Sequence, residues 1–270
     1  MFASVTGAGS RNKDRLIVII GLVILVAISW AYLVYVSNDM SDMDMTHGSS
    51  DGMGMSLMRP DIPMPWAIGD WVSMFMMWTV MMVGMMIPSA SPMILLFTRV
   101  NRQKRVGGKP YVGTFIFVFG YVVIWGVFST LATLLNYLLH SNSLMSGMMG
   151  QTDSMFFAGC LLIAAGIFQW TPLKNACLTK CRTPMGFLMT EWREGHSGAW
   201  AMGLKHGVYC VACCWLIMAL LFVLGVMNLV WIAVLSLFVL IEKMVPNGLW
   251  VGRVSGIALI VWGAFLLANI

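Results

Sequence analysis

The sequence predicts an all-α protein, a polytopic bundle of about seven transmembrane helices with its N-terminus in the cytoplasm. Three observations predict it. Of the 270 residues, 59% are hydrophobic and only 10% charged, with a mean hydropathy of +0.84, values that exclude an ordinary soluble domain. Apolar runs of roughly 20 residues, enough to cross a hydrocarbon core, recur along the chain. The basic residues gather in alternate connections, as cytoplasmic loops of membrane proteins do. Most runs are apolar all round, which indicates helices rather than a barrel.

The runs fall at about 16–37, 71–98, 111–139, 154–171, 198–224, 228–244 and 249–269. The first follows Arg11, Lys13 and Arg15. It is longer than a signal-peptide core and lacks a clear small-residue cleavage site, so it reads as an uncleaved anchor. Residues 38–69 come next, an acidic stretch rich in Ser, Gly, Asp and Met without apolar periodicity. It reads as a mobile extracytoplasmic loop. The second run meets Pro88 and Pro92, and each proline removes an amide donor. The expectation is a methionine helix over 71–87, then a kink or a short re-entrant piece.

Arg99, Arg102, Lys104, Arg105 and Lys109 follow the second run, and Lys174, Lys180, Arg182 and Arg193 follow the fourth. Both regions are therefore expected on the cytoplasmic side, with the C-terminus outside. The polar stretch 172–197 reads as a connection containing a short interfacial helix around Lys174–Cys181. Short turns near Gly225 and Pro246–Gly248 predict that the last three helices pack as antiparallel neighbours. The domain reading is 1–37 as tail and anchor, 38–69 as loop, and 70–270 as a six-helix metal-binding membrane domain. The net charge of +5 is spent on topology and does not point to nucleic acid. The expected setting is the bacterial inner membrane.

Methionine is the chain's most unusual feature. There are 26, and fifteen of them lie between Met40 and Met93. Thioether sulfur is a soft ligand suited to Cu(I). At about 100° per residue, Met74, Met77, Met81 and Met85 form one helical stripe with Met82 beside it. The stripe is about 16 Å long, roughly half the hydrocarbon thickness. In the loop, Met43, Met45 and His47 place thioether and imidazole donors close together, among aspartates that attract cations. The plain alternative is that methionine fills gaps in a helical core.

The cysteines form the second constellation. Taking His206 as zero, Cys210 lies near 40° and Cys213 near −20° on the same helical face, with Met202 near −40°. Cys214 lies at the edge of that face and Trp215 opposite. Cys177 and Cys181 would meet if their segment is helical. An ionisable group inside a span is costly and usually functional. Zinc or an iron–sulfur cluster could use similar ligands, but the adjoining thioethers favour Cu(I). The alternative is that buried Cys acts as a small hydrophobe. Glu242-Lys243 reads as an intrahelical or interface pair, with a proton relay as the alternative. No phosphate-binding loop, dinucleotide fingerprint or nucleophile triad is present, so an enzyme is not expected.

Several separated stretches resemble a family of bacterial integral membrane proteins predicted to bind metal, a domain of unknown function that includes candidate membrane copper chaperones. They are Met77-Trp78-Thr79-Val80-Met81-Met82-Val83-Gly84-Met85-Met86-Ile87-Pro88, Gln169-Trp170-Thr171-Pro172-Leu173-Lys174 through Cys177, and Cys181-Arg182-Thr183-Pro184. Gly203-Leu204-Lys205-His206-Gly207, Cys210-Val211-Ala212-Cys213-Cys214-Trp215, Met227-Asn228 and Glu242-Lys243 follow in order. The resemblance covers about residues 66–268 and implies a helical membrane fold that handles copper. The expected function is a chaperone or insertion factor that binds Cu(I) and delivers it to a copper-dependent membrane or periplasmic enzyme. A structural accessory subunit of a membrane complex and a passive copper permease are the alternatives.

Overall fold

Nearly all of the described chain is helical. The structure is a computed structural model that describes the backbone of residues 5–48, 66–104, 110–142, 145–146, 151–152 and 154–270. Side chains are described within 15–38, 66–103, 113–142 and 154–270. The helices are α1 (Val5–Gly48), α2 (Ile68–Lys104), α3 (Pro110–Ser141), α4 (Met155–Phe168), α5 (Pro172–Arg182), α6 (Pro184–Glu191), α7 (Gly195–Ala219), α8 (Leu221–Leu224), α9 (Leu229–Met244) and α10 (Gly248–Ala268). Two short strands, Met145–Ser146 and Gln151–Thr152, pair antiparallel between α3 and α4.

Among the described residues, five helical stretches are long and apolar enough to cross a membrane, or six if the bent pair α4–α5 forms one broken span. The expected seven spans are not confirmed. At 1.5 Å per residue, α4 and α9 are only about 21 and 24 Å long, short of a core of about 30 Å. Local chemistry sets those lengths. Thr171 caps α5 by accepting from the Lys174 amide, and Pro172 occupies the first turn, which turns the chain by 64° after α4. Asn228 caps α9 by accepting from the Val230 and Trp231 amides. The helical backbone of α1 runs on to Gly48, past Asn38, where the sequence reading begins a loop.

The prolines in α2 do not end it. The helix continues through Pro88 and Pro92 to Lys104, contrary to the kink or re-entrant piece expected. Hydroxyl groups provide the reason. The missing amide of Pro92 would leave the Pro88 carbonyl unserved, and the Ser91 hydroxyl donates to it at 2.8 Å. Ser89 donates to the Met86 carbonyl at 2.9 Å. From α9, Ser236 donates to the Met85 carbonyl at 3.4 Å. The Ser91 hydroxyl thus replaces one missing rung of the ladder, and the other two add bonds to carbonyls near the prolines, as apolar surroundings favour.

Among the candidate spans, α2 and α7 are the most enclosed, and α1 and α10 the least. α3 packs closely along α7, α2 lies against α1 and α3, and α5 folds onto α7. Small residues allow the α3–α7 approach. A Cβ on Gly120 would lie 2.8 Å from the Trp200 carbonyl oxygen, and one on Gly207 would lie 2.9 Å from the Ile124 side chain. α10 packs chiefly along α4, with a smaller contact to α9. The expected antiparallel trio of last helices is therefore not the main packing. Reciprocal glycine contacts explain it: a Cβ on Gly166 would lie 2.6 Å from the Gly256 carbonyl, and one on Gly263 2.8 Å from the Gly159 carbonyl.

Candidate metal centre

α7 carries its predicted face inward. His206, Cys210, Cys213 and Met202 are all buried, and Trp215 is exposed on the other side. Cys214, placed at the edge by the helical wheel, is completely buried. All six cysteines are free, and Cys160 alone is exposed. The Cys213 and Cys214 thiols donate to the Cys210 carbonyl at 3.1 and 3.0 Å. Such i−3 and i−4 bonds hold a thiol against its own helix.

α5 adds a second source of sulfur. Lys174, Cys177 and Leu178 form its buried side, so α5 is a packed element rather than an interfacial one. The Cys181 thiol reaches the sulfurs of both Cys210 and Cys213, and Cys214 interacts with the same two. Cys177 is buried near Cys213 but belongs less closely to the cluster. Among the described residues, no three His, Cys, Asp or Glu side chains are arranged to hold one ion together. The sulfurs therefore offer close pairs rather than a finished cage.

Three other helices meet Cys210. From α3, the Tyr121 hydroxyl lies 3.1 Å from the Cys210 sulfur and donates to the Met86 carbonyl of α2 at 3.4 Å. From α9, the Lys243 ammonium donates to the Cys210 sulfur at 3.0 Å and to the Ser89 hydroxyl of α2 at 3.2 Å. His206 sits among aromatic rings. It stacks on Tyr121 at 5.7 Å, faces Phe117 at 6.0 Å and meets Phe187 edge-on at 5.5 Å. Its Nδ1 is buried without a hydrogen-bond partner, which is expensive in apolar surroundings. An imidazole nitrogen and several thiols form a soft donor set that fits a soft metal.

The expected Glu242–Lys243 pair is corrected. Glu242 pairs with Lys174 of α5 at 2.6 Å, both side chains being almost fully buried. Lys174 also donates to Gln169 between α4 and α5. Consecutive helical residues point about 100° apart, so Glu242 faces α5 while Lys243 faces the thiols. Sequence reasoning missed Lys243 and Tyr121 as neighbours of the cluster. The available signal was a lysine inside an apolar run.

The methionine stripe lies inside the bundle. Met77, Met81, Met82, Met85 and Met86 are buried, and Met74 is half-buried at one end. The Met74 sulfur accepts from the Asn136 amide of α3 at 3.7 Å. At the other end, the backbone carbonyl of Met86, not its thioether, accepts from Tyr121, whose hydroxyl also lies beside the Cys210 sulfur. The backbone at Met43, Met45 and His47 belongs to α1. Their side chains, and most of the acidic stretch beyond, lie outside the described residues.

The sequence profile of the PpoB2 family, described as copper chaperones, matches residues 75–266. The chain belongs to the PpoB2 copper chaperone family. No curated protein and no solved structure matches it significantly. The matched region begins within the methionine stripe of α2 and includes every cysteine, His206 and Lys243. Family membership implies copper binding, a copper target and a non-enzymatic role. With the apolar helices, it describes a multi-pass membrane protein of the PpoB2 type.

Proposed function

We propose that this PpoB2-family protein carries Cu(I) within the bacterial inner membrane and delivers it to a copper-dependent membrane or periplasmic enzyme. The methionines Met74, Met77, Met81, Met82 and Met85 pass the ion along α2 by exchange between weak thioether sites. Cys210 and Cys213 hold it more tightly, with His206, Cys181 and Cys214 as neighbouring donors and Cys177 as an outer one. The observation that carries this reading is the Tyr121 hydroxyl, which joins the end of the methionine run at Met86 to the Cys210 sulfur. Two separate sulfur-rich segments of sequence thereby meet at one hydroxyl, through the Met86 backbone carbonyl on one side and the Cys210 sulfur on the other.

Orientation follows from charge. Arg99 and Arg102 lie near the C-terminal end of α2, while Trp66, Trp71, Tyr137 and His140 cluster at the opposite end. Basic residues favour the cytoplasm, and aromatic residues favour interfaces. The thiol end therefore faces the cytoplasm and the Met74 end faces outward, where Met43, Met45 and His47 capture or release the ion. Buried methionines on α2 together with buried thiols on α7 also support a permease as the second reading.

The test is a Cu(I) titration of the purified protein against a competing chelator under reducing conditions. The unmodified protein is expected to hold copper tightly. The double variant Cys210→Ser/Cys213→Ser should lose at least about 100-fold in affinity, more than loss of an outer-shell partner usually causes. Tight binding that survives both changes would remove these thiols as ligands. No tight copper in the unmodified protein would favour an accessory-subunit role. Copper uptake into proteoliposomes containing only this protein would place permease first.

A further inference from the structure

Away from the thiol cluster, the outer side of the α4–α10 pair holds a cation between two indole rings. We propose that Arg253, Trp170 and Trp250 form a binding site for the phosphate of an anionic phospholipid. This inference goes beyond the copper reading and does not depend on it.

The argument begins with where Arg253 stands. α10 is a candidate span over Gly248–Ala268, and Arg253 lies five residues after its start, about 7.5 Å along the helix axis. Beside it, Val254, Ile257 and Val261 form an exposed apolar stripe at helical spacing. Arg253 pairs with no carboxylate among the described residues. A cation at that depth is costly without an anion.

The surroundings are built rather than incidental. The guanidinium carbon lies 5.8 Å from the Trp170 ring and 5.7 Å from the Trp250 ring, and both indoles are exposed. Trp250 sits one turn earlier on α10, and Trp170 comes from the corner between α4 and α5. Gly256 lets Trp170 lie against α10: a Cβ there would be 3.0 Å from the Trp170 Nε1 and 2.8 Å from the Gly166 carbonyl oxygen. The rings attract the guanidinium but neutralise no charge. Its fork of N–H donors still matches a phosphate at two points.

Position selects the source of that phosphate. Tryptophan favours the membrane interface, and the stripe below Arg253 suits an acyl chain. Arg182 donates to the Val245 and Pro246 carbonyls at 2.5 Å each, which sets the basic end of α5 beside the start of α10. Basic residues mark that end as cytoplasmic, where the leaflet is negatively charged and basic pockets between helices take anionic headgroups. A zwitterionic lipid brings its own ammonium with the phosphate and gains less from the guanidinium.

The test uses the full-length protein in neutral detergent, with native mass spectrometry counting bound phosphatidylglycerol, the anionic probe, against phosphatidylethanolamine, the zwitterionic one. The unmodified protein should hold one phosphatidylglycerol in preference to phosphatidylethanolamine. Arg253→Gln should lower the affinity ratio of the two lipids by about 5-fold, the scale of one basic residue at an anionic surface. Trp250→Leu removes one ring from an exposed position and should lower the ratio in the same direction; it serves if Arg253→Gln does not fold. Lys180→Gln removes an exposed charge on α5 and should keep the ratio. No preference in the unmodified protein, an unchanged ratio in folded Arg253→Gln or Trp250→Leu, or an equal fall in Lys180→Gln overturns the proposal. Displacement of the lipid by inorganic phosphate also overturns it, since the site would then serve the free anion.

Discussion

α2 and α7 are both buried, and both present sulfur to the centre of the bundle, but they differ in charge. The α2 methionines are neutral donors in apolar packing, and no described ion pair accompanies them. The α7 thiols sit beside an ammonium, a phenol and a buried imidazole. A thioether can meet and release a cation without changing its own charge. A thiol must lose a proton to bind well, and its thiolate then needs a counter-charge in an apolar interior. Under the proposed copper reading, the difference corresponds to movement along α2 and retention at α7.

The largest effect expected from disturbing one side of this comparison is at Glu242. Glu242→Gln would leave Lys174 buried without its partner, a loss of about 3 kcal/mol or more. Thermal unfolding in detergent should show a clearly lower midpoint. Because Lys174 is on α5 with Cys177 and Cys181, copper affinity should fall as well. Unchanged unfolding would mean that the pair does not hold α5 in place.

A smaller effect is expected at the junction of the two regions. Tyr121→Phe removes the hydroxyl between Met86 and Cys210 while keeping the ring stacked on His206. Copper affinity should fall by about 10-fold, within the usual range for an outer-shell hydrogen bond. A chelator competition showing no change would separate the methionine run from the thiol cluster.

The smallest equilibrium effect belongs to the methionines. Changing Met77, Met81 and Met85 together to Leu roughly conserves volume, with a stability cost of less than about 1.5 kcal/mol per site. Final copper stoichiometry should remain that of the unmodified protein, while stopped-flow loading becomes roughly 10-fold slower as the soft donors disappear. If loading keeps its speed, methionine is packing material and the contrast between the helices loses its functional meaning.

The inward face of α7 was legible because it lies within one helix. The spacing of His206, Cys210 and Cys213 fixes their shared direction whatever surrounds them. The helical membrane class was legible for a similar reason, since apolar run length reports on the solvent. Span count was less legible because α4 and α9 are shortened by caps at Thr171 and Asn228, and hydropathy does not register caps. The continuity of α2 was missed because serine hydroxyls support carbonyls around its prolines. Lys243 and Tyr121 escaped notice because their meeting with Cys210 depends on how α3, α7 and α9 pack, and one sequence carries no direct signal of contact between helices.

X-ray absorption at the copper edge, comparing the loaded unmodified protein with Cys210→Ser/Cys213→Ser, tests the division between movement and retention most directly. The account predicts Cu(I) bound mainly by short sulfur contacts in the unmodified protein, and loss of those contacts in the double variant. The same short sulfur contacts in both proteins, at the same occupancy, would contradict it.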